Sequence, residues 1–143
     1  IIGDLNMFPE ATRKGLLDGI NLTKDNGGLN LCLALNYGSR QEIIDGVKSI
    51  TQKVQSGELS IDQINEDEFS KELYTTNMPD PDLLIRTSGE YRLSNFLLWQ
   101  SAYTEIVMTD IYWPDFREDQ LLSAIYDYQS RERRFGKVSD QIR

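Results

Sequence analysis

Two arginines, Arg86 and Arg92, bracket a short polar turn, Thr87-Ser88-Gly89-Glu90, in the stretch RTSGEYRLSNFLLWQ. A guanidinium stays charged and presents a planar fork of donors that matches phosphate oxygens. The hydroxyls of Thr87, Ser88 and Ser94 add donors, and Gly89 adds backbone freedom. Backbone N–H groups opening a following helix would add more. So many donors exceed what one carboxylate can use, and they suit a diphosphate better. The plainer alternative is a solvated loop whose arginines pair with Glu90 and its neighbours.

Glu105 is the second residue of chemical interest, at the expected start of a strand. A carboxylate beside a diphosphate can hold Mg²⁺, a hard ion satisfied by oxygen ligands and water. Otherwise it is a strand-edge charge or half of an ion pair. Two acidic runs read as structural. PDPD, with Pro79 and Pro81, is a rigid turn, and NEDE is a helix start, where acids favour the dipole. RERRFG, Arg131 to Gly136, closes the last helix. Basic residues there complement the negative helix end, and Gly136 can cap it. The functional alternative sets Arg134 and the backbone around Gly136 against a phosphate.

The chain contains no histidine, so the usual general base, the usual zinc ligand and every Ser-His-Asp arrangement are excluded. Its one cysteine, Cys32, allows neither an intrachain disulfide nor a cysteine-rich metal site. It is read as a small buried hydrophobe, and a reducing compartment fits it. A net charge of −8 and a pI near 4.5 argue against a general nucleic-acid binder, which needs a basic face. They leave room for a local anion pocket. No apolar run approaches the roughly 18 residues that cross a bilayer. The start, IIGDL, has no initiator methionine and no signal-like segment. It reads as a strand, with residues expected upstream.

These side chains need elements to position them. Ile1–Leu5 reads as a short strand. Pro9 suits the first turn of a helix whose apolar face carries Ala11, Leu16, Leu17 and Ile20. The DNGG run, Asp25–Gly28, ends it. The alternating leucines from Leu29 to Leu35 suit a strand buried on both faces of a parallel sheet. Ser39 and Glu42 make a capping-box pattern for a helix with Ile43, Ile44, Val47, Ile50 and Val54 at helical spacing, stopped by Gly57. Short helices follow, with Ser60 and Asn65 as caps. LLIRT reads as a strand, LSNFLLWQSAY as a helix, TEIVMTDIYW as a strand, and Arg117 to about Arg133 as a final helix. Strands alternating with helices predict an α/β fold with a mainly parallel central sheet flanked by helices. Ligands in such folds bind beyond the carboxyl ends of the strands. IGD, NYGSR and RTSGEYR each sit at such an end.

PDPDLLIRTSGEYRLSNFLLWQSAYTEI, Pro79 to Ile106, resembles the signature of the cis-prenyltransferases, the undecaprenyl and dehydrodolichyl diphosphate synthases. IGD, NYGSR, TDIYWPDF and RERRFG fall in the family's order, so the resemblance covers nearly the whole chain. It implies condensation of isopentenyl diphosphate onto an allylic diphosphate, usually farnesyl diphosphate, with Mg²⁺ and cis double bonds in the product. It implies that Arg86, Arg92 and Ser94 bind isopentenyl diphosphate, with a backbone contact from Leu93. Glu105 matches the family's magnesium-binding glutamate. Arg134 and Gly136 match a C-terminal Arg-x-Gly motif that reaches the partner's site in a homodimer.

Ser88 and Ser39 stand where the family often has glycine. The family's Asp-Gly-Asn-Gly-Arg stretch, which binds magnesium and the allylic diphosphate, does not occur here. The chain therefore resembles the carboxyl-terminal part of the enzyme, residues 1–136 of a single domain with a polar tail over 137–143, and is expected to be inactive alone. The alternative is a non-catalytic accessory subunit of a heteromeric enzyme. Accessory subunits tend to lose the RTxGExRxSN pattern, which this chain keeps. An unrelated phosphate-binding module leaves the order of five motifs unexplained. The resemblance implies work in the cytoplasm, bacterial or at the cytosolic face of the endoplasmic reticulum, and a long lipid product suits peripheral association at a membrane surface.

Overall fold

A computed structural model describes residues 1–133. Arg134, Gly136 and the tail lie outside the described residues. Those described fall into two compact units, Ile1–Pro79 and a second beginning at Asp80. The fold is α/β, with parallel strand pairing and helices.

In the first unit, the two expected strands shrink to one parallel bridge between Ile2 and Ala34. Ile2 donates to the Leu33 carbonyl at 3.0 Å and Leu35 donates to the Ile2 carbonyl at 2.9 Å. Leu29 is 94% exposed and Leu31 76%. A strand buried on both faces needs covering layers, and none of the described residues supplies them here. Cys32 is likewise exposed, not buried. After the bridge the chain turns sharply at Gly3, with φ of +105°. A Cβ there would lie 2.1 Å from the Leu35 carbonyl oxygen, so glycine alone fits. The Asp4 carboxylate then accepts from the Asn6 N–H at 2.9 Å and caps a 3₁₀ turn, Leu5–Met7.

Helix α1, Glu10–Thr23, starts directly after Pro9, with Glu10 in its first turn as the dipole favours. Contrary to the expected inward face, no residue of α1 is buried.

Helix α2, Ser39–Gln55, is capped by Gly38, not Ser39. Ser39 lies one residue inside and is wholly buried, so the expected capping box does not form. Glu42 is free of that duty and is also wholly buried. Its carboxylate accepts from the Tyr37 hydroxyl and, at 2.9 Å, from the Tyr74 N–H. Of the expected apolar face, Ile50 is buried while Ile44 and Val47 are exposed.

Short elements follow as their caps require. Gln63 reaches back to the Ser60 N–H at 2.9 Å around a 3₁₀ turn, Ile61–Gln63. Asn65 accepts from the Glu68 N–H at 2.9 Å and starts α3, Glu66–Ser70. Glu72 then ties this segment to α2 through Lys53 and Ser49.

In the second unit, β1, Leu83–Arg86, pairs in parallel with β2, Glu105–Met108. Leu83 stands opposite Glu105, and Arg86 opposite Met108. Helix α4, Glu118–Ser130, packs on β2 and buries Ala124. It is shorter than expected, because Arg131 is already extended, with ψ of 145°.

The crossover between β1 and β2 corrects a further expectation. LSNFLLWQSAY is not a helix but a chain of turns. Ser94, Asn95 and Leu97 have φ of +52°, +61° and +44°. Three left-handed residues within four positions cannot propagate a right-handed ladder. The backbone closes single turns instead, as from Phe96 to Leu93 at 3.1 Å and from Ser101 to Leu97 at 2.9 Å.

Candidate functional site

Parallel pairing brings the carboxyl ends of β1 and β2 side by side, where open α/β sheets hold ligands. The loops that leave these ends are bonded to each other. Thr109 donates to the Arg86 carbonyl at 2.9 Å, Gly89 to the Thr109 carbonyl at 3.0 Å, and Ser88 to the Ile111 carbonyl at 2.9 Å. The turn after Arg86 is therefore clamped. The clamp forces Ser88 to φ of +70° and Gly89 to +64°. A Cβ on Gly89 would lie 3.0 Å from a carboxylate oxygen of Asp110.

Arg86 is the last residue of β1 and is half-buried at this end. Its Nε is buried and has no hydrogen-bond partner among the described residues. A buried charged donor without an acceptor is costly, and an anion would relieve that cost. Arg92 is more exposed and pairs with Glu90, so the plainer reading of that arginine holds within the chain. Leu93 is half-buried and Ser94 exposed. No helix follows them, so the donors expected from a helix N-terminus are absent at this turn.

Glu105 is not part of this cluster. It opens β2, three residues or about 10 Å from the level of Arg86. Register and strand alternation also put the two side chains on opposite faces of the sheet. Glu105 lies on the α4 face, where Arg131 Nη1 donates to its Oε2 at 3.0 Å. The same Nη1 donates to the Ile106 carbonyl at 3.0 Å. Asp127 receives Arg131 Nε at 3.2 Å and Nη2 at 2.8 Å. Asp127 first, then Glu105, pushes the Arg131 guanidinium further from deprotonation. Nearby, Asp82 and Tyr128 hold Arg133.

Sequence pattern alone marks Arg131 only as a helix-end charge. Its contact with Glu105 spans 26 residues, and no local spacing signals it. The clamp from Thr109 and Ile111 likewise has no local signal, because it depends on strand pairing.

No group of three or more potential metal ligands occurs among the described residues. Glu105 nonetheless fits a Mg²⁺ ion as a single hard donor. Its Oε1 makes no hydrogen bond among the described residues, and Mg²⁺ commonly takes one or two carboxylates plus phosphate oxygens and water.

A protein-family model described as "Putative undecaprenyl diphosphate synthase" matches residues 1–136. The chain belongs to the cis-prenyltransferase family. An isoprenyl transferase of Clostridium perfringens is 58% identical over 137 residues, 96% of this chain and 54% of that protein. The ditrans,polycis-undecaprenyl-diphosphate synthase of Micrococcus luteus, specific for (2E,6E)-farnesyl diphosphate, is 53% identical over 135 residues, 94% of this chain and 54% of that protein. Among solved structures, lavandulyl diphosphate synthase from Lavandula x intermedia, in complex with dimethylallyl diphosphate, matches with a TM-score of 0.92 at 40% identity. That match covers 95% of this chain and 58% of the other. This cis-prenyltransferase chain thus spans about half the length of the curated relatives it matches.

Proposed function

We propose that the protein carrying this chain elongates prenyl diphosphates, condensing isopentenyl diphosphate onto an allylic diphosphate such as farnesyl diphosphate with cis geometry. Family membership and the relatives' names support the reaction class. The observation in this chain that carries the reading is Arg86, a half-buried guanidinium at the carboxyl end of β1 whose Nε has no acceptor among the described residues.

In this reading the clamped turn is the isopentenyl diphosphate cradle. Arg86 supplies a fixed donor, and Arg92 leaves Glu90 to reach the same diphosphate. Ser94 adds a hydroxyl and Leu93 a backbone contact. Holding the diphosphate fixes the direction of the attached alkene, so the reacting carbons meet without an orientational search. As the allylic diphosphate departs, charge develops on oxygen and carbon, and preorganised cations stabilise it. Glu105 would hold Mg²⁺, which supplies Lewis-acid stabilisation of a diphosphate when bound. Its place at the other end of β2 separates it from the Arg86 cradle within one chain. Arg134 and Gly136 would serve the second subunit of a homodimer. The other ligands of the allylic site come from outside this chain, which alone is inactive.

No helix among the described residues is long and apolar enough to cross a membrane. In this reading the enzyme works in the cytoplasm, and its lipid product brings it to a membrane surface.

Steady-state kinetics of Arg92→Ala in the full-length protein tests the cradle. A lost charge-assisted hydrogen bond lowers kcat/KM for isopentenyl diphosphate by about 10–100-fold, mainly through KM. Unchanged KM and kcat would remove Arg92 from the site.

A further inference from the structure

We infer that Arg131 is a positioning residue for Glu105, an inference that rests on the proposed metal role of that carboxylate. A glutamate at the start of a strand has three side-chain torsions to fix before it can serve as a ligand. Three observations show how Arg131 fixes them. Its guanidinium is anchored first from its own chain segment, by the two-pronged contact with Asp127 at 3.2 and 2.8 Å. The remaining Nη1 is shared between the Ile106 carbonyl and Glu105 Oε2, both at 3.0 Å. The first of these bonds pins the fork to the backbone of β2, and the second pins the carboxylate to the fork. One oxygen of Glu105 is thereby held and the other, Oε1, makes no hydrogen bond among the described residues.

The chemistry favours a cation at that oxygen. Two carboxylates share one guanidinium, so the cluster keeps a net negative charge. The side chains of Arg131 and Glu105 are 30% and 26% exposed, which leaves solute access. A lysine could not replace the fork, since a single ammonium cannot hold Asp127, a backbone carbonyl and Glu105 in one plane. Partners that orient metal-ligating side chains typically change metal affinity 10–100-fold when removed.

The test uses the full-length protein with Mn²⁺ as the probe. Binding is read by electron paramagnetic resonance in the presence of inorganic diphosphate. Arg131→Gln is expected to weaken Mn²⁺ binding about tenfold or more. KM for isopentenyl diphosphate stays within about twofold, because Arg131 does not touch the Arg86 cradle. Arg131→Lys recovers only part of the affinity. Asp127→Asn weakens binding by a smaller factor, since it loosens the anchor alone. Glu105→Gln is measured alongside. If Glu105→Gln loses Mn²⁺ while Arg131→Gln and Asp127→Asn bind it as the parent does, the positioning role is overturned and the reading of Glu105 stands. If Glu105→Gln binds Mn²⁺ unchanged, the metal role fails and the inference fails with it. Should Arg131→Gln not fold, as judged by circular dichroism, Arg131→Lys and Asp127→Asn decide. Weakened binding in both supports the role, and parental binding in both overturns it.

Discussion

Ser88 sits at φ of +70°, a conformation that costs a non-glycine residue roughly 1–2 kcal/mol. Its N–H bonds to the Ile111 carbonyl at 2.9 Å, and that bond does not depend on the side chain. Ser88→Gly should therefore raise stability by about 1 kcal/mol, read from the denaturant midpoint. The opposite change next door, Gly89→Ala, meets the Asp110 carboxylate and a φ of +64°. It should destabilise by roughly 1–2 kcal/mol and move the cradle with it. Wholly buried Glu42 serves Tyr37 and Tyr74, so Glu42→Ala strands two donors and should cost about 2–4 kcal/mol. At this scale the donors of the proposed cradle are legible as a local pattern, two arginines and a serine within nine positions. The partners are not. Glu42 looked like a capping residue because its place three beyond Ser39 fits a box, and burial against Tyr74 cannot be read from spacing.

The tie between α2 and the segment after α3 carries a pH dependence. Lys53, then Ser49, holds the Glu72 carboxyl below its ordinary value of 4.5. A carboxylate whose folded pKa is lowered adds stability above its unfolded pKa, and loses it as pH falls through the folded value. Denaturation from pH 7 to pH 3 should show stability falling below about pH 4.5. Glu72→Gln should flatten that part of the profile and cost about 1 kcal/mol at pH 7. A parallel fall in the variant would assign the acid sensitivity elsewhere. Elements whose starts depend on local chemistry matched their sequence signals, as at Pro9, Ser60 and Asn65. Those that depend on distant neighbours did not. The leucine run at Leu29–Leu35 alternates as a buried strand does, yet only one bridge forms, because a strand is made by its partners. The stretch after Arg92 has the apolar content of a helix, but left-handed residues override it.

For the whole molecule, the acidic balance is compatible with the proposed anion site because charge placement outweighs its sum. The guanidiniums of Arg92, Arg131 and Arg133 each have carboxylate partners, while among the described residues Arg86 has none and its buried Nε, like that of Arg133, has no acceptor. The α/β class and parallel pairing followed from alternating element types. The division at Pro79 into two compact units had no such signal beyond the proline-rich turn. The family match, residues 1–136, runs through both units, and relatives about twice as long match over nearly the whole chain. Cis-prenyl elongation is tested most directly by supplying the full-length protein with labelled isopentenyl diphosphate, farnesyl diphosphate and Mg²⁺. The expected result is label in long polyprenyl diphosphates with cis double bonds, abolished by chelation of the metal. No incorporation under these conditions, with intact binding to a second subunit, would contradict it and point to an accessory role instead.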